Sequence, residues 1–438
     1  MIRTRTPVTA VLTLLAVAAC GSGDNVTALD GSPPPAQIPF ATAKARAGGP
    51  TTWTKVAPWP YRPWVMKVSA WTGREVLVFG SGPGRDQRVE KNRMGSISGA
   101  YDPASDTWRQ IAVAPFDVTN AGVVGTAGAV FAVTGRMVDR VWTPELWAYS
   151  VDADSWRRLP SPPAEDFYGV TLAGRTLATT SFGQAGRTIH LLDLDSENWR
   201  AAPADPWPNG QNEMVGLADG RIVVLSTTAP PPPTPPPGAE DSGTFVVAGP
   251  AEPRGPDNPG PCWKAAVLDT GADSWRELPR SGLARNFHGS WTAVGSRLIN
   301  VETGSLPADS VEAGCGDEPN VPSGGVLDVD AGRWEPLTPF PRKGAPIFAG
   351  ALGDESTAIT QASDSEEAVW RYDTHARTWA ALPPIPGRTH GFSDSLWAWA
   401  GDRLLIFANG ALKPTKNGWD TRTVAVHDGW SWAPGERS

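Results

Sequence analysis

The sequence predicts an all-β protein, a closed ring of seven small four-stranded sheets, and three observations predict it. First, a tryptophan stands seven residues after the start of a short apolar segment six times: Tyr101 to Trp108, Tyr149 to Trp156, Leu192 to Trp199, Leu268 to Trp275, Leu327 to Trp334 and Tyr372 to Trp379. A spacing of 43 to 76 residues between these tryptophans marks one supersecondary unit copied repeatedly. Second, 47 glycines and 44 prolines punctuate the chain, as many short strands joined by turns require. Third, the two ends are complementary. Thr52-Trp53-Thr54-Lys55-Val56 reads as an outer strand without inner strands, and the C-terminal repeat has inner strands in need of an outer one. Joining them removes the open edges of the ring. Seven sheets are preferred over six or eight.

Each unit reads as four strands. A β-prone run such as Leu146-Trp147-Ala148-Tyr149 is the third strand, and a turn of Asp, Pro, Ser, Gly or Ala follows. The tryptophan opens the fourth strand, which leaves through a proline as in Trp156-Arg157-Arg158-Leu159-Pro160; proline belongs at a sheet edge, so this strand is outermost. The first and second strands are pairs such as Ala70-Trp71 with Val76–Gly80, and Leu217-Ala218 with Arg221–Leu225, joined by hairpin turns at Gly73-Arg74, Gly174-Arg175, Asp219-Gly220 and Asp402-Arg403. In the last unit Arg403–Phe407 is the expected second strand and Thr423–Val426 the expected third; Trp432, seven residues after Ala425, is the competing outer strand.

The Tyr-Asp-to-Trp spacing, the Trp-x-x-Leu-Pro exit and Arg285-Asn286-Phe287-His288-Gly289 resemble the kelch repeat family, the β-propellers that include the central domain of galactose oxidase. The resemblance covers about residues 51 to 438 and implies a kelch-type β-propeller. The family's Gly-Gly pair is reduced here to Phe79-Gly80-Ser81, Thr134-Gly135 or Asn409-Gly410.

The N-terminus points to export. Arg3 and Arg5 precede an apolar run from Val8 to Ala19, too short to span a bilayer and shaped like a signal peptide. Val17-Ala18-Ala19-Cys20 resembles the bacterial lipobox, so residues 1–19 are expected to be cleaved and Cys20 lipidated; a secreted, unlipidated protein is the alternative. Residues 20–50 form a tether of roughly 30 Å root-mean-square reach, and 51–438 the ring. The expected location is the outer face of the bacterial cytoplasmic membrane, or the periplasm or outer membrane where the cell has one. Cys262 and Cys315 are expected to form a disulfide stapling two long loops.

Up-and-down topology places the loops between second and third strands on the same face as the unit-to-unit connections, and the turns before the tryptophans on the other. The turns are uniformly short. The opposite loops vary: Pro83–Ser96, Arg136–Glu145, Thr227–Pro261, Thr303–Ser323 and Ala411–Gly418. The 227–261 insertion carries Pro230–Pro237, a polyproline II segment with nothing to bury. Variable loops on a rigid scaffold are where binding resides. Candidate ligand residues on that face are Trp59, Tyr61, Arg62, Trp64, Tyr168, Trp207, Asn209, Gln211, Asn212, Arg285, His288, Arg388 and His390. Aromatic faces with amides and guanidinium groups suit a sugar or anionic glycan; packing is the competing reading of each.

A net charge of −8 argues against a nucleic-acid surface, which would need a basic face. Copper-radical oxidation needs two histidines, two tyrosines and a cysteine joined to a tyrosine. Three of the five tyrosines hold repeat positions and both ring cysteines are expected to be bridged, so neither a metal nor another cofactor is expected. A sialidase-like aspartate box would place Asp five residues before Trp, whereas Asp102 and Asp269 stand six before. The expected function is a non-catalytic, envelope-anchored monomer binding a carbohydrate or envelope polymer. A scaffold for another envelope protein is the alternative, and a glycan-active enzyme using Asp166 and Glu213 the third reading.

Overall fold

The computed structural model describes residues 52–60, 65–82, 95–116, 118, 121–138, 141–164, 167–183, 186–207, 212–227, 263–281, 283, 291–300, 325–338, 341, 347–348, 357–362, 369–386, 396–408, 411–415, 418–424 and 428–433. Among them the strands form seven four-stranded sheets and one two-stranded hairpin. Sheet I is Val65–Trp71, Val76–Gly82, Gly95–Asp102 and Thr107–Gln110; sheet II is Gly122–Gly125, Ala129–Val138, Val141–Ser150 and Ser155–Leu159. Sheet III is Tyr168–Ala173, Thr176–Gly183, Gly186–Asp193 and Trp199–Ala201; sheet IV is Asn212–Gly216, Arg221–Thr227, Trp263–Asp269 and Ser274–Glu277. Sheet V is Thr292–Val294, Arg297–Asn300, Gly325–Asp328 and Arg333–Pro336; sheet VI is Ile347–Phe348, Thr357–Ala362, Val369–Asp373 and Thr378–Ala381. Sheet VII is assembled from both ends: Leu396–Ala400, Arg403–Ala408, Asp428–Trp432 and, outermost, Thr54–Val56.

Each gap between neighbouring sheets holds its own apolar cluster. Leu77, Phe79, Trp147 and Tyr149 pack between I and II, while Val76, Val78, Leu405 and Phe407 pack between VII and I. Clusters of the same kind fill II/III, III/IV, IV/V, V/VI and VI/VII, so the gaps run round the ring without interruption. The chain is an all-β β-propeller. Because a sheet is covered on both faces, Val76-Leu77-Val78-Phe79 is buried along its whole length, which is why the second strands read as continuous apolar runs rather than alternating ones.

The recurring tryptophan joins sheets. Its indole Nε1 donates to a carbonyl of the preceding sheet's exit segment: Trp108 to Ala57 (2.9 Å), Trp156 to Ala112 (3.1 Å), Trp199 to Pro160 (2.9 Å) and Trp275 to Pro203 (3.2 Å). Trp334 donates to Pro279 (2.7 Å), Trp379 to Thr338 (2.8 Å) and Trp53 to Pro383 (2.6 Å). Each acceptor lies four residues beyond the tryptophan of its own sheet. Trp53 therefore does in sheet VII what the six periodic tryptophans do elsewhere.

The turn before each tryptophan is equally uniform. The residue two before it has positive φ: Asp106, Asp154, Glu197, Asp273 and Arg377 lie between 45° and 57°, and Gly332 at 62°. Aspartates opening the turn accept from backbone N–H groups two or three residues on, as Asp269 Oδ1 does from Gly271 and Ala272 (both 2.9 Å). That side-chain capture sets the turn.

Two expectations about strands are corrected. The third strand of sheet VII is Asp428–Trp432, not Thr423–Val426; Gly418–Val424 pairs instead with Ala411–Thr415 in the separate hairpin. Trp432 sits opposite Leu404 inside the sheet and is not an outer strand. Burial decides this, since Trp430 and Trp432 both fill the VI/VII gap. In sheet II the segment 136–145 is not a loop but continues the ladder, with Arg136 to Val138 paired to Val141 to Thr143. Its β-branched and aromatic residues favour the extended ribbon.

Candidate functional site

The turn face is held by ion pairs. The arginine after a repeat tryptophan reaches the turn of the next sheet: Arg109 lies 3.8 Å from Asp154, Arg157 2.5 Å from Glu197, and Arg200 pairs with Asp273. Between V and VI the charges are exchanged, with Glu335 following Trp334 and Arg377 in the turn, 3.6 Å apart. These cations are already neutralised by protein partners.

The long-loop face is chemically richer where III meets IV. Arg187, at the start of the third strand of III, donates from Nε to Asp205 Oδ2 (2.6 Å), and the side chains of the pair are both 1% exposed. Burial pulls the guanidinium down and the Asp205 carboxylate opposes it. Asp205 Oδ1 accepts from the Trp207 backbone N–H (2.8 Å), so the buried pair fixes the path of the connection into sheet IV. The Lys264 ammonium lies 4.4 Å from the centre of the half-buried Trp207 ring. Burial lowers the Lys264 pKa, as does Arg280, against Glu277 and Asp205. Directly across from Arg187 in the ladder stands Phe182, 48% exposed, on the rim of this face.

Glu213, on the innermost strand of IV, accepts the Trp291 backbone N–H (2.7 Å) and so links IV to V. Burial pushes its carboxyl up to about 7, with the Trp291 hydrogen bond opposing. His190 is 8% exposed, its Nε2 lies 2.7 Å from Ser181 Oγ, and burial lowers its pKa. Between the inner strands of III and IV, Gly216 N–H donates to Thr171 Oγ1 (2.7 Å); a Cβ at Gly216 would lie 2.1 Å from the Leu172 carbonyl oxygen, so only glycine fits.

The sequence-predicted residues divide accordingly. Trp59 is corrected: it is 2% exposed and packs edge-on against Trp108 at 4.7 Å in the VII/I gap, so it offers no face to a ligand. Trp207 is on the expected face, partly covered by Lys264. Tyr168 and Asn212 begin inner strands of III and IV, which fixes their backbone positions. Tyr61, Arg62, Trp64, Asp166, Asn209, Gln211, Arg285, His288, Arg388 and His390 lie outside the described residues, as do Cys20, Cys262 and Cys315. Lys264 and Phe182 were missed by sequence reasoning. Both sit within strands, where a charged or aromatic residue gives no signal until its neighbours are known.

Among the described residues no group of three or more His, Cys, Asp or Glu converges to hold a metal ion, and no helix is long and apolar enough to cross a membrane.

Comparison with known proteins adds a partial likeness. Kelch-like protein 35 of Mus musculus is 31% identical over 178 residues, 40% of this chain and 29% of that protein, so the chain matches less than a third of its relative's length. The β-propeller domain of the Trilobed protease from Pyrococcus furiosus, a propeller of open velcro topology, aligns over 82% of this chain and 97% of that chain with a TM-score of 0.47 and 11% identity. No family model matches.

Proposed function

We propose that the chain is a seven-bladed binding scaffold, tethered outside the cell through lipidated Cys20, that engages a protein partner through its long-loop face. The observation that carries this reading is the contrast in surface chemistry between the faces. Three junctions of the turn face share one ion-paired solution and a fourth has it with the charges exchanged, while the other face presents an exposed Phe182 and a Trp207 covered by a cation. Sugar recognition by stacking needs open aromatic faces. Trp59 is committed to the core, which moves the weight from a carbohydrate to a protein surface with an apolar anchor and polar surroundings. The partial likeness to a Kelch-like protein supports a propeller of this kind.

The test places a photo-crosslinking amino acid at Phe182 on one face or at Ser105 in a turn on the other, in the protein expressed in an exporting bacterium. A discrete protein adduct from position 182 and none from 105 is expected. Equal adducts from both faces, or none from 182 together with saturable binding of residues 50–438 on a glycan array, would overturn the protein-scaffold reading.

A further inference from the structure

The alternation of strand residues gathers one surface at the long-loop end of the gap between III and IV. On Thr176–Gly183, Ala178 fills that gap, so Phe182, four residues on, lies on the same side at the rim. On Trp263–Asp269, Leu268 fills it, and Lys264 stands on the same side four residues back towards the long-loop end. Trp207 packs against the same cluster from the connection between the sheets, with the Lys264 ammonium 4.4 Å from its ring centre. The buried Arg187 and Asp205 pair fixes that connection, so the surface stands on rigid supports.

The charge here is unlike that of the turn face. Backbone bonds from Leu278 N–H to the Ala265 carbonyl (2.8 Å) and from Ser281 N–H to the Trp263 carbonyl (3.0 Å) lay the exit segment of IV along the start of its third strand, which brings the exposed Arg280 beside the half-buried Lys264. Burial first, and Arg280 next, disfavour the charge on Lys264, against Glu277 and Asp205. Asp205 is committed to Arg187, which leaves Glu277 as the carboxylate set against two cations. Among the described residues neither Lys264 nor Arg280 makes an ion pair, whereas Arg109, Arg157 and Arg200 on the turn face each have one. The whole chain carries a net charge of −8, so this local surplus of positive charge runs against the molecule's overall field.

Resting on the reading of this face as a protein-binding surface, we propose that the partner presents an acidic segment to the III/IV junction, its carboxylates meeting Lys264 and Arg280 and a neighbouring apolar side chain packing against Phe182. Two adjacent like charges repel, and an incoming carboxylate relieves that repulsion while it is attracted by both. A basic segment is rejected by the same two charges, and a neutral one would desolvate them without offering a partner. Phe182, 48% exposed beside the cations, supplies the apolar contact that a protein interface sets among polar groups. An anionic glycan would bring the charge, but it would find the Trp207 ring already covered by Lys264.

The experiment uses the full-length protein in an exporting bacterium, with a photo-crosslinking amino acid at position 182, and reads the yield of the discrete adduct and, by mass spectrometry, the partner peptide joined to it. Lys264→Glu combined with Arg280→Glu should lower the yield about tenfold or more, because like charges set against each other across an interface are heavily penalised. Arg333→Glu, exposed at the turn of sheet V, should leave it unchanged. The joined peptide should carry more Asp and Glu than Lys and Arg, and replacing its acidic residues by lysine should restore the adduct with the doubly reversed protein, a rescue that a misfolded variant could not give. An adduct that survives the reversals, a joined peptide without acidic excess, or a loss that the swap does not rescue overturns the acidic segment and leaves the protein-scaffold reading standing. No adduct from position 182 overturns the scaffold reading and this one with it.

Discussion

On the turn face all seven sheets use one indole bond to the preceding sheet, and in sheets I to VI it follows a short left-handed turn, whereas on the long-loop face the connections differ from one another in length and chemistry. The difference separates two demands on one ring. Closure needs every junction to fit its neighbours, so the junction repeats; recognition needs one place unlike the rest, so the loops diverge. The buried Arg187 and Asp205 pair belongs to the second group, a local device that occurs once among the described residues and shapes the III/IV rim.

The sharpest way to break this contrast is at Trp53, the junction that closes the ring. Trp53→Ala removes a 6% exposed indole and its bond to Pro383, and should cost about 3–5 kcal/mol in denaturant unfolding, the range for a large core aromatic. A loss below about 1 kcal/mol would show that the closing strand is dispensable. On the other face, Arg187→Ala strands the buried Asp205 carboxylate and should cost a further-reaching but similar or slightly smaller amount, about 3–4 kcal/mol. Replacing both by Met and Leu should recover most of it, since the cost lies in the unpaired charge.

Glu213 sharpens the comparison through pH. Its folded pKa of about 7 lies above the usual 4.5, so the fold favours the protonated form. Its contribution is fully present below about 4.5, declines as pH rises towards 7 and is lost above, a change on the order of 3 kcal/mol. Thermal scans at pH 5 and pH 8 should show the wild type losing stability at the higher pH and Glu213→Gln, which keeps an acceptor for Trp291, losing much less. Parallel behaviour of the two proteins would refute the assignment.

Smaller effects distinguish junctions within the turn face. Tyr101 Oη donates to Asp106 Oδ1 (2.7 Å), as Tyr149 does to Asp154, but in sheet VI the corresponding position is Arg377 and the buried Tyr372 hydroxyl has no acceptor among the described residues. Tyr101→Phe should therefore cost about 1.5 kcal/mol and Tyr372→Phe close to none, measured by chemical denaturation. Smallest of all, Phe182→Ala should change stability by less than about 0.5 kcal/mol, as expected of a surface site, while reducing partner capture; a large loss of stability would make it a packing residue.

Legibility in the sequence followed the same division. The six Tyr/Leu-to-Trp segments and Thr52–Val56 announced the outer strands, because turn chemistry and strand exits are local. The third strand of sheet VII was misplaced, since Thr423–Val426 is the more β-prone of the two segments, Asp428–Trp432 opening with Asp and Gly, and only the VI/VII gap, filled by Trp430 and Trp432, overrides that local preference. Trp59 failed as a ligand residue for a related reason. An aromatic in a connection has the same appearance in sequence whether it faces solvent or, as here, fills the VII/I gap against Trp108.

By itself, then, the sequence determined the repeat, its turns and the complementarity of its ends, all properties of residues near one another along the chain. Only the tertiary structure decided that Trp53 bonds to Pro383 across 330 residues, that Arg187 is neutralised by Asp205, and that Thr54–Val56 pairs with Asp428–Trp432. Those outcomes depend on which surfaces meet once the sheets close, and burial and pairing between distant segments leave no periodic trace in the chain.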